Sequence, residues 1–107
     1  MKNFDNIATL FADEDRLDGD ELTVLSITTK PCFSSRLEEW RGDGKTYERA
    51  WSFIADRIIE EVVPELECVI DDNYLRVFVH NETERDAVYE SIEKHAVEID
   101  EFFGVKH

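Results

Sequence analysis

The sequence predicts an α+β fold, a short and mostly antiparallel sheet with helices packed on it. Three observations lead there. The stretch ELTVLSITTK is rich in β-branched side chains and stops before Pro31, as a strand does. The stretch LECVIDDNYLRVFVH reads as a hairpin with a self-consistent register. Two longer segments place apolar residues at the period of an amphipathic helix. The predicted order is α-β-(α)-α-β-β-α, and 107 residues suit a single domain spanning 1–107.

The elements follow in order. Phe4, Ile7, Ala8 and Phe11 recur at helical spacing, so residues 4–12 read as a short first helix capped by Asn3 or Asp5. The acidic run DEDRLDGDEL, residues 13–22, then reads as a solvated helix-to-strand loop with Gly19 in its turn. A strand over 22–29 comes next. Ser35-Arg36-Leu37-Glu38 fits a capping box, which favours a short helix ending at Gly42. A hairpin turning at Gly42-Asp43-Gly44 is the alternative.

The helix over 46–63 has the clearest pattern. Tyr47, Trp51, Ile54, Ala55, Ile58, Ile59 and Val62 form one face, charged residues form the other, and Pro64 ends it. With a turn at Asp72-Asn73, the 66–70/75–80 hairpin sets Ile70 opposite Leu75, Cys68 opposite Val77 and Leu66 opposite Val79. Its other face carries Val69, Tyr74 and Phe78 among polar residues. Asn81 caps the last helix with Glu84 at its third position, Val88, Ile92, Ala96, Ile99 and Phe103 follow, and Gly104 stops it.

Charge excludes several function classes. The net charge is −14, from 26 acids and 12 bases, and it is uneven. Residues 22–55 hold four acids and five bases, so nearly all the negative charge lies outside them. Direct nucleic-acid or anionic-membrane binding is disfavoured, because both need a basic footprint. Seven Phe, three Tyr and two Trp at periodic positions exclude a disordered acidic tail. No membrane span or secretory signal is visible, and Cys32 and Cys68 form no metal-binding pattern, so a cytoplasmic protein with reduced thiols is expected.

Specific chemistry is hard to find. Read as an EF-hand with Gly19 at its sixth position, the acidic run places Arg16 and Leu25 where carboxylate ligands belong. His80, His95 and His107 form no ligand pair. Ser34 and Ser35 lie in no nucleophile elbow, and no spacing supports a Cys32–His80 pair. No enzyme, cofactor or metal is expected.

The remaining signal is carboxylate stripes on helices. Glu82, Asp86, Glu90 and Glu93 follow one face of the last helix, and Asp56 and Glu60 follow the long helix. Same-face neighbours stand roughly 5–6 Å apart at Cβ. A duplex strand advances about 3.4 Å per phosphate. The scales are close enough for these six residues to imitate a phosphate backbone. The sequence thus predicts a non-enzymatic inhibitor that occupies the basic site of a nucleic-acid-handling protein. Its size and charge, though no motif, have the character of phage-type anti-restriction and anti-CRISPR proteins. The alternative is a general interaction module, homodimeric through Val69, Tyr74 and Phe78 with Trp40 beside them, whose acidity serves only solubility.

Overall fold

A computed structural model describes residues 2–4, 6–16, 22–71 and 73–104. Among these residues, five antiparallel strands form one sheet: β1 (Lys2–Asn3), β2 (Leu10–Arg16), β3 (Thr23–Thr29), β4 (Glu67–Asp71) and β5 (Tyr74–Val79). Their spatial order is β1-β2-β3-β5-β4. The hairpin register holds, with Ile70 opposite Leu75 and Cys68 opposite Val77. Leu66 precedes the strand, and Glu67 pairs with Phe78. Of its turn, Asp72 lies outside the described residues.

The expected first helix is absent. Leu10–Arg16 is instead a strand, paired from Leu10↔Thr29 to Arg16↔Thr23. Helical spacing at Phe4, Ile7, Ala8 and Phe11 arises because Phe4 and Ile7 fold back into the core, while strand alternation begins at Leu10. Leu10 and Ala12 point inward, and Phe11, Asp13 and Asp15 point to the other face. Three consecutive acids have poor strand propensity, and that masked the alternation. The run 13–22 is therefore no helix-to-strand loop: 13–16 is strand, and Gly19 lies outside the described residues.

A 3₁₀ turn (Pro31–Arg36) leads into α1 (Leu37–Gly42), so this stretch is helical and ends at Gly42. The N-cap is Arg36, whose side chain makes no capping bond, and the Ser35 side chain of the expected capping box lies outside the description. α2 (Tyr47–Phe53) begins where the Thr46 side chain accepts a hydrogen bond from the Arg49 amide at 3.2 Å. It passes through a π-helical stretch (Ile54–Ile59) into α3 (Glu60–Val62). The Ser91 hydroxyl donates to the Ile58 carbonyl at 2.8 Å, tying this wider turn to the next helix. Pro64 and Glu65 then reverse the chain, with Glu65 at φ 71.

α4 (Glu82–Lys94) is capped as expected: Asn81 accepts from the Glu84 amide at 2.8 Å. The Glu84 carboxylate accepts from the His80 amide at 2.7 Å, and that bond foremost lowers its pKa. The helix does not run straight to Phe103. It breaks at His95 (φ −103, ψ 24), and α5 (Ala96–Phe102) ends at Gly104, whose φ of 83 suits the glycine.

The helices share one core with a single sheet face. Leu10, Ala12, Leu25, Ile27, Leu75, Val77 and Val79 pack with Trp51, Ile54, Ile58, Val88, Ile92 and Ile99. An aromatic cluster closes one end. Phe33 meets Trp40 and Phe103 edge-on, each at 5.3 Å between ring centroids, and Trp40 stacks on Phe103 at 5.4 Å. The Trp40 indole donates to the Phe102 carbonyl at 3.0 Å. Among the described residues, no helix is long and apolar enough to cross a membrane.

Asp100 is fully buried and joins the N-terminal segment to α5. It accepts from the Thr9 hydroxyl at 2.7 Å and the Ala8 amide at 3.1 Å. Asp100→Ala strands both donors and is expected to cost about 2–3 kcal/mol, with Thr9→Val costing less. Urea unfolding measures this, and a loss no larger than at a surface site would refute the tether.

Candidate functional site

The sheet separates the acidic residues into two flanks. On the β2 flank, strand alternation puts Glu14 beneath α4 and turns Asp13 and Asp15 to the opposite face. Arg85 of α4 reaches Glu14 at 3.4 Å and Asp86 at 3.1 Å. Burial, then the charge of Glu14, raises the Tyr89 phenol's pKa. Glu82, Asp86 and Glu90 stand exposed along α4, spaced one turn apart. Glu93 is half-buried and lines a hollow with Phe4, Ile7, Lys30 and Lys94.

Asp56 and Glu60 belong to the β4 flank. With Ala55, Ile59, Glu65, Leu66 and Cys68 they line a hollow of about 240 Å³. Cys68 is a half-buried free thiol. Burial first, then the charges of Asp56, Glu60 and Glu67, push its pKa up to about 11. The structure thus gathers four of the six predicted carboxylates on one flank and two on the other, with β3 and β5 between. Asp13, Glu14 and Asp15, read from the sequence as part of an acidic loop, join these flanks from β2, and Glu65 and Glu67 join them without having been singled out. The alternation of Leu10, Ala12 and Glu14 against Phe11, Asp13 and Asp15 was the available signal for the first three.

Bases gather near α1 and the start of α2. Arg36 donates to the Gly104 carbonyl at 2.7 Å and Arg49 to the Gly44 carbonyl at 3.0 Å. Arg41 lies over the Tyr47 ring at 6.0 Å and Lys45 over the Phe102 ring at 5.9 Å. Arg41, Lys45, Tyr47, Glu48 and Ile70 line a hollow of about 640 Å³. Each keeps its charge, and these contacts hold the cations near α1 and the start of α2.

The three proposed interface residues share the sheet face away from the core. Val69 is 39% exposed, Tyr74 43%, and Phe78 half-buried. Phe11 and Val24 lie on the same face by register. Trp40 does not join them, because it is 3% exposed within the aromatic cluster.

The remaining candidates are dispersed. His80 Nδ1 lies 2.9 Å from Glu84, and His95 Nδ1 lies 2.9 Å from the Ser91 carbonyl. Asp13, Glu14 and Asp15 alternate between sheet faces and do not converge as loop ligands would. No group of three His, Cys, Asp or Glu is placed to hold a metal ion among the described residues. The Cys32 and Ser35 side chains lie outside the description.

In comparisons with known proteins, no family model, curated protein or solved structure matches the chain.

The raised pKa of Cys68 predicts a sluggish thiol. At pH 8 about one molecule in a thousand carries the thiolate, against roughly a quarter for an ordinary cysteine. Iodoacetamide alkylation at Cys68, followed by peptide mapping, is expected to run at least about tenfold slower than on free cysteine and to rise with pH. Asp56→Asn with Glu60→Gln should recover only part of the rate, since burial is the larger cause. A rate equal to free cysteine would contradict the packing.

Proposed function

We propose that the chain is a non-enzymatic acidic binding protein that occupies the basic site of a nucleic-acid-handling protein, in the manner of an anti-restriction or anti-CRISPR inhibitor. The supporting observation is the arrangement of carboxylates on both flanks of an elongated body of 42 × 24 × 22 Å. Four spacings between five strands occupy about 19 Å, so the sheet accounts for a short dimension. A body 42 Å long matches about twelve base-pair steps. Glu82, Asp86 and Glu90 run at one-turn intervals on one flank, and Asp56 and Glu60 on the other.

Like charges one turn apart oppose helix formation by a few tenths of a kcal/mol each. Such repulsion suits a surface that meets a cationic partner. The uncovered face bearing Val69 and Tyr74 favours a second reading, an interaction module whose acidity serves only solubility.

A pull-down from host lysate separates the two. On the proposed reading, one basic nucleic-acid-binding protein is retained, displaced by duplex DNA, and lost steeply between about 50 and 200 mM salt. The Asp86→Lys/Glu90→Lys variant is expected to lower retention at least about tenfold. Its fold should persist, since both positions are exposed, with a slightly lower melting temperature because the Arg85–Asp86 contact is lost and cations then follow one another at one-turn spacing up to Lys94. Retention unchanged by the charge reversal, or insensitive to DNA, would sink this reading.

A further inference from the structure

The outward face of the sheet carries a pattern that the acidic flanks do not explain. Its register can be followed strand by strand. One row crosses from Asp15 to Val24 to Phe78 to Glu67. The next crosses from Asp13 to Ser26 to Arg76 to Val69. Beyond it, Phe11 pairs with Thr28, and Tyr74 with Asp71. Val24, Phe78, Val69 and Tyr74 therefore form an apolar group on three strands with Arg76 in their midst. Asp13, Asp15, Glu67 and Asp71 stand around it.

Val24 is buried yet belongs to no part of the helix-side core, so the packing that hides it is that of this face. Apolar and aromatic side chains around one arginine, inside an acidic rim, have the composition of a protein interface. Charge selects the occupant. Among the described residues the face has four carboxylates and one guanidinium, and that guanidinium already meets Asp71 at 3.3 Å. Two copies face to face would bring like charges together. A basic partner would not.

We propose that this face docks a basic amphipathic helix of a partner protein, its apolar side over Val69, Tyr74 and Phe78 and its cations toward Asp13, Asp15, Glu67 and Asp71. The inference rests on the reading that the partner is basic, and it adds a second, partly apolar contact surface to the acidic flanks. Helix on sheet is how this fold buries its other face, and here the helix comes from another chain.

The test uses the full chain and two fluorescent peptides of about 18 residues, both built from leucine and lysine in identical proportion. In one, leucines recur at i, i+3, i+4 and i+7. In the other they are dispersed around the helix. The amphipathic peptide is expected to bind at least about tenfold more tightly. Amide shifts should centre on Val24, Val69, Tyr74, Arg76 and Phe78.

Val69→Asp/Tyr74→Asp should abolish that preference while leaving the weaker, charge-driven binding in place. Both positions are exposed, so the fold should survive. Asp86→Lys/Glu90→Lys should leave the preference intact, which separates this face from the α4 stripe. Equal affinity for the two peptides, or shifts centred on α4, would overturn the proposal. Failure of the DNA-displaced pull-down alone would overturn only the nucleic-acid-site reading.

Discussion

Helices seal one face of the sheet and leave the other open. The inner residues Leu25, Ile27, Leu75 and Val77 find their partners in Trp51, Ile54, Ile58, Val88 and Ile92. That burial is the main force holding the two layers together. The described helices supply one layer only, and it lies over that inner face. The remaining structure follows from that limit. The ends need separate closure, by the Phe33, Trp40 and Phe103 cluster at one and by Phe4 against Tyr89 near the N-terminal segment.

The charge distribution obeys the same limit. Carboxylates cannot enter so thin a core without partners. Among the described residues the buried exception is Asp100, held by Thr9 and the Ala8 amide. The rest are placed on the helix surfaces and at the sheet flanks. The bases near α1 turn to carbonyls and aromatic rings, as Arg36 does to Gly104 and Lys45 to Phe102. Glu14 alone reaches inward on β2, and there Arg85 meets it.

Much of the fold was legible where a pattern was local and strong. The β4–β5 register followed from apolar alternation, because a slip of one residue would turn Leu75 and Val77 outward. The cap at Asn81 and the helical run over 47–62 followed from spacing and from Pro64. β2 was not legible, because its acids resist strand propensity and its support comes from pairing with β3, up to 19 residues away. The break at His95 was equally hidden, since Ala96 and Ile99 keep the helical period across it. Of the candidate site, exposure of Glu82, Asp86 and Glu90 could be read from the helix pattern. The separation of Asp56 and Glu60 onto another flank could not, because it depends on strand order.

By itself, then, the sequence determined the element types with strong periods, the inner faces of those elements and the excess of carboxylates, all of which depend on spacing along the chain. Only the tertiary structure decided which carboxylates share a flank, that Glu14 lies beneath Arg85, and that Val69 and Tyr74 stay exposed beside a half-buried Phe78 while Trp40 is sealed. Those outcomes depend on β3 pairing with β5 rather than with its sequence neighbour β4, and no periodicity encodes which strands become neighbours.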